Sequence, residues 1–109
     1  MNLPQMPHYC KTDVSGSVLF HADCLEVLPK LFENSVDYSF TSPPYNRKRN
    51  DKYSDFTDIN ENWLQLNIDV ITELLRVTKK HIFYNIQANY YNRQDVYKLI
   101  GHFSKKIVD

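Results

Sequence analysis

The chain has 109 residues, about the length of one domain, and 42% of them are hydrophobic against 24% charged. This balance is typical of a globular protein with a single small core. Thirteen basic and thirteen acidic side chains give a formal charge of zero, which excludes a polycation that coats nucleic acid by charge alone. The chain contains only two glycines, Gly16 and Gly101, and this excludes a glycine-rich phosphate loop.

Cysteine and histidine usage gives no sign of a metal site. Cys10, Cys24 and the four histidines lack the spacing of metal ligands, so we expect no bound metal. The isolated cysteines favour a reducing compartment, and no apolar run has the length of a membrane span or a secretion signal. We therefore predict a cytoplasmic protein with no membrane partner.

The first predicted elements follow a polar segment. Residues 1–16 are interrupted by prolines, and we interpret them as an N-terminal arm or loop. Residues 18–22 form an apolar run of strand length. Asp23 comes next and is suited to cap a helix over about residues 24–32, whose apolar residues share one face.

The middle of the chain shows the clearest patterns. A second strand is predicted over residues 36–41, and the two prolines of residues 42–45 must end it. Residues 46–58 have no usable period and indicate an exposed loop. Apolar residues then recur at steps of three and four from Trp63 to Val77, which predicts an amphipathic helix ending in basic residues.

The last third continues the alternation of strands and helices. A third strand is predicted over residues 81–86, a helix over about residues 92–103, and the start of a further strand over residues 106–109. Alternating elements with nearly continuous apolar strands favour an α/β fold with a mostly parallel sheet of about four strands, flanked by helices. We assign this domain to residues 17–109.

Three polar tips are predicted at the carboxyl ends of these strands, where open parallel sheets bind ligands. The tips are Asp23, the Ser42-Pro43-Pro44-Tyr45 tetrapeptide, and the segment from Asn85 to Gln87. The second tip is the most informative, because consecutive prolines fix two φ angles and restrict the residue before each of them. Tyr84, Tyr90 and Tyr91 lie near the third tip, and one of them is a candidate to line a pocket.

The tetrapeptide is rich in hydrogen-bond acceptors beside one aromatic ring. Neither proline has an N–H group, so the segment offers the Ser42 hydroxyl oxygen and the Pro43 carbonyl. These groups suit the exocyclic amine of an extruded nucleobase, with the Tyr45 ring stacked on the base. Hydrogen bonds of this kind draw the amine out of conjugation and let its lone pair attack a sulfonium methyl group held in line.

The chain resembles the amino-directed DNA methyltransferases, which modify cytosine-N4 or adenine-N6 with S-adenosylmethionine. The resemblance spans roughly residues 17 to 109 and is specific in its combination of segments. These segments are Thr41-Ser42-Pro43-Pro44-Tyr45-Asn46, His21-Ala22-Asp23-Cys24-Leu25-Glu26-Val27-Leu28 and Ser35-Val36-Asp37. The resemblance implies a Rossmann-like sheet and double-stranded DNA as the partner.

The resemblance also implies roles for individual residues. The catalytic tetrapeptide of the family corresponds to Ser42, Pro43, Pro44 and Tyr45. Asp23 and Thr41 are implied to lie near the S-adenosylmethionine cofactor, Asp23 being close to either the cofactor or the target amine. The residues implied to face DNA are Asn46, Arg47, Lys48, Arg49 and Lys52.

One departure from the family leaves alternatives open. The target-recognition region and the Phe-x-Gly-x-Gly cofactor loop are absent from this sequence, so the cofactor pocket is expected to be incomplete. In one interpretation the chain is an active methyltransferase or the catalytic half of one, and it pairs with a complementary fragment or associates with itself. In the other, it is a truncated, inactive remnant that binds DNA or another chain. In the family, serine at the position of Ser42 is more typical of cytosine-N4 enzymes, and asparagine at the position of Asn46 is frequent in adenine-N6 enzymes. The resemblance therefore leaves the target base open.

Overall fold

The computed structural model describes residues 9–11, 16–45 and 62–108 of the chain. The strands are β1 (Tyr9–Lys11), β2 (Val18–Phe20), β3 (Val36–Thr41) and β4 (Thr78–Tyr84). The helices are α1 (Cys24–Val27), α2 (Trp63–Val77) and α3 (Arg93–His102). Short 3₁₀ turns follow α1 at Leu28–Lys30 and α3 at Ser104–Lys106.

The chain divides into two compact units. The first unit consists of Met1–Ser39 and Val70–Ile82, and the second of Phe40–Asp69 and Phe83–Asp109. Each unit is therefore built from two separate stretches of sequence.

In the first unit, β1 and β2 pair in an antiparallel ladder, with Cys10 opposite Leu19. The segment interpreted as an arm, residues 1–16, thus contains a strand. The prediction that residues 18–22 belong to a parallel sheet is wrong. Their partner is the strand just before them in sequence, and a short connection permits only antiparallel pairing because a parallel crossover needs a dozen or more residues.

Helix α1 begins at the predicted cap. The Asp23 carboxylate accepts a hydrogen bond from the Leu25 backbone N–H at 2.9 Å, which satisfies one of the free donors of the first turn. The helix is shorter than predicted and gives way to a 3₁₀ turn that contains Pro29. Proline has no N–H to donate to the fourth carbonyl before it, so the α-helical ladder cannot continue through that position.

The apolar core of the first unit is small. Val27, Leu31 and Val77 are buried together, and the half-buried residues Phe20, Ala22 and Leu28 pack against them. Arg76 completes this region, since its guanidinium donates to the Leu28 carbonyl at 2.7 Å and to the Leu31 carbonyl at 2.8 Å. The Leu28 carbonyl also accepts from the Leu31 N–H at 3.1 Å, so Arg76 adds a side-chain donor to the hydrogen bond that closes the 3₁₀ turn.

Strands β3 and β4 form the second, parallel two-stranded sheet, and α2 lies between them in sequence. The Asn85 N–H donates to the Thr41 carbonyl at 2.9 Å, so the carboxyl ends of both strands meet at one edge. Strand β3 has the predicted bounds. Strand β4 begins at Thr78, three residues earlier than predicted, so that Lys79 and Lys80 belong to a strand and not to a helix end.

The described residues form two sheets of two strands, not one mostly parallel sheet of four. The predicted strand at residues 106–109 is wrong over its described part. Lys106 lies in a 3₁₀ turn, where its N–H donates to the Phe103 carbonyl at 2.8 Å and is not available to a ladder. The α/β class is observed, whereas a complete Rossmann-like sheet stays an expectation from the family.

Candidate active site

The tetrapeptide, residues 42–45, follows β3 in the second unit, and two of its carbonyl groups are bound by other side chains. The indole N–H of Trp63 donates to the Pro44 carbonyl at 2.6 Å. The Tyr45 carbonyl accepts from the amide groups of Asn89, at 3.0 Å, and Asn92, at 2.6 Å. None of the residues that the structure describes donates to the Pro43 carbonyl. Of the two proline carbonyls, that of Pro43 is therefore the one without a donor among the described residues.

Two of the three donors that hold the tetrapeptide, Trp63 and Asn92, are buried, and Asn89 is half-buried. Trp63 begins α2 and has 0% of its surface exposed, and Asn92, directly before α3, is also at 0%. Asn89 and Asn92 bind each other's backbone, with N–H to side-chain oxygen distances of 2.7 Å and 3.1 Å. Buried side chains whose hydrogen-bonding groups are all paired rarely change rotamer. These donors therefore hold the backbone of the tetrapeptide in place.

A second buried amide, that of Asn67, holds the backbone of Trp63. Asn67 is 1% exposed and donates to the Trp63 carbonyl at 2.7 Å, one helical turn before it. The Tyr84 hydroxyl at the end of β4 donates to the other side of the same amide. The donor of the Pro44 carbonyl is thus held by both α2 and β4.

The hydroxyl groups of the tetrapeptide form a cluster with Asn85, the first residue after β4. Ser42 Oγ lies 3.0 Å from Tyr45 Oη. The Asn85 amide nitrogen donates to Tyr45 Oη at 3.0 Å and to Ser42 Oγ at 3.3 Å. Ser42 Oγ also approaches the Asn85 carbonyl at 3.5 Å. Ser42 is exposed and Tyr45 is half-buried, so this cluster opens to solvent.

Hydrogen-bond capacity limits what this cluster can accept. A serine hydroxyl has one donor and two acceptor positions. If Ser42 donates to the Asn85 carbonyl, then Tyr45 and the Asn85 amide occupy both of its acceptor positions. A substrate amine can then bind Ser42 Oγ only after Tyr45 or Asn85 withdraws. Stacking of Tyr45 on a base would itself provide that opening.

The two residues implied to hold the cofactor lie in different units. Asp23 is exposed in the first unit, and one of its carboxylate oxygens caps α1. Thr41 ends β3 in the second unit, and its carbonyl accepts from Asn85. Neither glycine provides a close approach for a ligand, since a Cβ added to Gly16 or Gly101 would meet nothing within 4 Å.

Next to Asp23, the thiol of Cys24 has an altered pKa. Partial burial raises the pKa of the Cys24 thiol above its ordinary value of 9.0, and the neighbouring Asp23 carboxylate raises it further. The thiol therefore stays protonated at neutral pH and is a poor nucleophile.

The residues implied to contact DNA lie outside the described part of the chain. They are Asn46, Arg47, Lys48, Arg49 and Lys52.

A family model described as DNA methylase, N6_N4_Mtase, matches residues 36–109, which is more than half of the chain. The chain belongs to this DNA methylase family. The match begins with β3 and includes the tetrapeptide, whereas the segment around Asp23 precedes it. Comparisons with curated proteins and with solved structures found no significant match.

The described part of the chain contains neither a membrane-spanning helix nor a metal-binding cluster. Among the described residues, no helix is long and apolar enough to cross a membrane. Within the same ranges, histidine, cysteine and acidic side chains do not gather in groups of three that could hold a metal ion.

Sequence reasoning missed two residues of the methylase site. Asn89 and Asn92 were not singled out, although both bind the Tyr45 carbonyl. Their three-residue spacing just before a helix is the one local signal that could have found them. Asn85 was named only as part of a polar tip, and Trp63 was correctly predicted to be buried but without its contact to Pro44.

Proposed function

We propose that this methylase transfers a methyl group from S-adenosylmethionine to the exocyclic amine of cytosine or adenine in DNA. The proposal rests on which carbonyls of the tetrapeptide already accept a hydrogen bond from the protein. Those of Pro44 and Tyr45 are occupied by protein donors, and among the described groups none occupies that of Pro43. An exposed hydroxyl, Ser42 Oγ, stands one residue away.

The two proposed acceptors match the two N–H bonds of an amine. One N–H would donate to the Pro43 carbonyl and the other to Ser42 Oγ, once Tyr45 has turned to cover the base. Held in this way, the nitrogen lone pair points away from the base plane and toward the methyl donor. The bond between the nitrogen and the methyl carbon would form as the S–CH₃ bond of the donor breaks, which leaves a neutral thioether. The surplus proton on the nitrogen would leave to solvent from the exposed side of Ser42.

Asp23 and Thr41 are each proposed as a contact of the methyl donor, as the family resemblance implies. S-adenosylmethionine, when bound, supplies a methyl group made electrophilic by its sulfonium. Asp23 is exposed with one carboxylate oxygen engaged in the helix cap, which leaves the other oxygen for a hydrogen-bond donor of the cofactor. Thr41 is half-buried at the end of β3 and is proposed as a second contact of the cofactor. These residues supply contacts to the cofactor but no glycine cradle around it.

Double-stranded DNA is the proposed substrate, with the cations of residues 47–52 as phosphate contacts. Phosphate contacts position a protein on DNA without reading its sequence. The target base and the recognition sequence therefore stay open within this proposal.

A methyl-transfer assay tests the proposal. The protein is incubated with tritiated S-adenosylmethionine and DNA of mixed sequence, and label in the DNA is counted. Ser42→Ala and Tyr45→Ala are expected to lower incorporation by about tenfold or more, since each removes an interaction with the reacting base. Tyr97→Ala, which removes an exposed tyrosine of α3, is the matched control. Incorporation that neither site substitution changes would contradict the proposal.

A second candidate function is a DNA-binding or partner-binding chain without activity of its own. The missing glycine cradle favours it. Calorimetric titration with S-adenosylmethionine distinguishes the two, because micromolar binding argues for the enzyme. A complementary fragment or self-association is proposed for either case, since a two-stranded sheet offers unpaired strand edges. Elution as a well-behaved monomer in size-exclusion chromatography would argue against self-association.

A further inference from the structure

A shallow groove lies at the start of α3 in the second unit, outside the tetrapeptide cluster. Its volume is about 330 Å³, near the lower end of the usual range for ligand pockets. Tyr90 and Tyr91 line it and are 76% and 58% exposed. Arg93, Gln94 and Asp95 complete its lining. Two large aromatic side chains that adjoin each other on the surface are candidates for binding a partner.

The planar groups of this groove are arranged as a connected cluster. The rings of Tyr90 and Tyr91 meet edge to face, with centroids 5.3 Å apart. The Arg93 guanidinium lies over the Tyr90 ring at 5.5 Å from its centroid. A guanidinium and a phenol ring both stack on flat π-systems, so the cluster can cover the face of a planar ligand.

One side chain connects this groove to the tetrapeptide. The Asn89 side-chain oxygen accepts from the Tyr91 N–H at 2.8 Å. The nitrogen of the same amide donates to the Tyr45 carbonyl at 3.0 Å. The backbone of Tyr91 is therefore two successive hydrogen bonds from that of Tyr45, and the groove adjoins the proposed target-base site.

We propose that Tyr90, Tyr91 and Arg93 form a stacking platform for a DNA nucleobase that neighbours the target base. This inference rests on the proposed function, because it assumes that the tetrapeptide grips an extruded base. Removal of a base from the stack exposes the faces of its neighbours, and such faces stack on aromatic side chains with little dependence on sequence.

The charges of the groove favour a base over a phosphate as the occupant. Arg93 and Asp95 carry opposite charges and both line the groove, so its net attraction for an anion is small. The Asp95 carboxylate and the Gln94 amide offer an acceptor and a donor to base edges, which carry both kinds of group. A phosphate would instead face the carboxylate.

Fluorescence anisotropy with labelled DNA tests the platform without requiring methyl transfer. The probes are a mixed-sequence single strand and a duplex with one unpaired base, titrated with the full chain. Tyr90→Ala and Tyr91→Ala are each expected to weaken binding by about tenfold, in line with the loss of one stacked base. Tyr90→Phe and Tyr91→Phe should bind like the unaltered chain because the ring remains. Tyr97→Ala, which removes a similarly exposed tyrosine of α3, should change nothing.

Salt dependence gives an independent readout. The slope of log affinity against log salt should be the same in the alanine variants as in the unaltered chain, because stacking displaces no phosphate counterions. Equal binding by Tyr91→Ala, Tyr90→Ala and the unaltered chain would overturn the inference, as would an equal loss in Tyr97→Ala. Failure of the unaltered chain to bind either probe would also overturn it. Methyl transfer that depends on Ser42 and Tyr45 would leave the proposed function standing in each of these cases.

Discussion

The buried side chains of the two units differ, since the second unit contains buried amides in addition to the apolar side chains of Val96 and Leu99. In the first unit, Val27, Leu31 and Val77 form a small apolar core. In the second unit, the fully buried side chains include Trp63, Asn67 and Asn92, and each of them makes a hydrogen bond to a backbone carbonyl. Apolar burial is non-directional and scales with area, whereas these hydrogen bonds fix particular atoms in place.

This difference matches what each unit has to do. Asp23 in the first unit caps a helix, and a cap tolerates any side chain with a suitable oxygen. Under the proposed function, the tetrapeptide has to present one carbonyl and one hydroxyl to the substrate amine, and the groups that hold it are the amides of Asn89 and Asn92 and the Trp63 indole. We infer that the polar core of the second unit exists to position the tetrapeptide.

The largest effect on stability is expected from Trp63→Ala. The substitution removes a fully buried ring and should lower the free energy of unfolding by about 3–5 kcal/mol. Trp63→Phe keeps most of the ring but leaves the Pro44 carbonyl without its donor, at a cost of about 1–3 kcal/mol. Urea denaturation followed by circular dichroism measures both, since the chain has one tryptophan and its fluorescence is lost. Near-equal stability of Trp63→Phe and the unaltered chain would show that the indole N–H is dispensable.

Conservative substitutions should separate the two units most clearly. Asn92→Asp has nearly the same shape but places an oxygen against the carbonyls of Tyr45 and Gln87, and it should cost about 3 kcal/mol. Leu31→Met in the first unit keeps volume and apolarity and should cost less than about 1.5 kcal/mol. Equal losses in the two variants, measured by the same denaturation, would remove the distinction between the cores.

Two substitutions of Asp23 can separate its role as a helix cap from its proposed role in binding the cofactor. Asp23→Ala should lower the free energy of unfolding by about 1 kcal/mol through loss of the cap, whereas Asp23→Asn should change it by a few tenths at most. If the carboxylate also holds S-adenosylmethionine, Asp23→Asn weakens binding of the cofactor in calorimetry while stability stays the same. Unchanged affinity in Asp23→Asn would limit the residue to its cap.

The smallest expected effect concerns the Cys24 thiol. Because partial burial and the Asp23 carboxylate raise the pKa of Cys24 above 9.0, alkylation by iodoacetamide should be slow at pH 8 and should accelerate as pH rises past 9. Asp23→Asn removes the negative charge, lowers the pKa and should accelerate the reaction at pH 8 a few-fold. Mass spectrometry in a Cys10→Ser background follows Cys24 alone. A slower reaction in Asp23→Asn would show that the carboxylate does not control this thiol.

Local patterns in the sequence predicted several elements correctly. The apolar spacing from Trp63 to Val77 gave α2, and the Asp23 cap lies where the pattern placed it. Strand β3 has its predicted bounds because two prolines must end it. The errors concern pairing partners and boundaries. The antiparallel pairing of β1 with β2, and the 3₁₀ turn at residues 104–106, depend on neighbours that no short-range pattern specifies.

The sequence by itself indicated the family, because the tetrapeptide and its flanking segments are contiguous and their backbone restrictions are local. Only the tertiary structure decided which of its groups are open. Trp63 reaches Pro44 from 19 residues away, and Asn85 and Asn92 reach Tyr45 from 40 and 47 residues away. Periodicity records which residues are apolar, but a polar side chain finds its partner through the packing of distant elements. The open Pro43 carbonyl is a product of that packing.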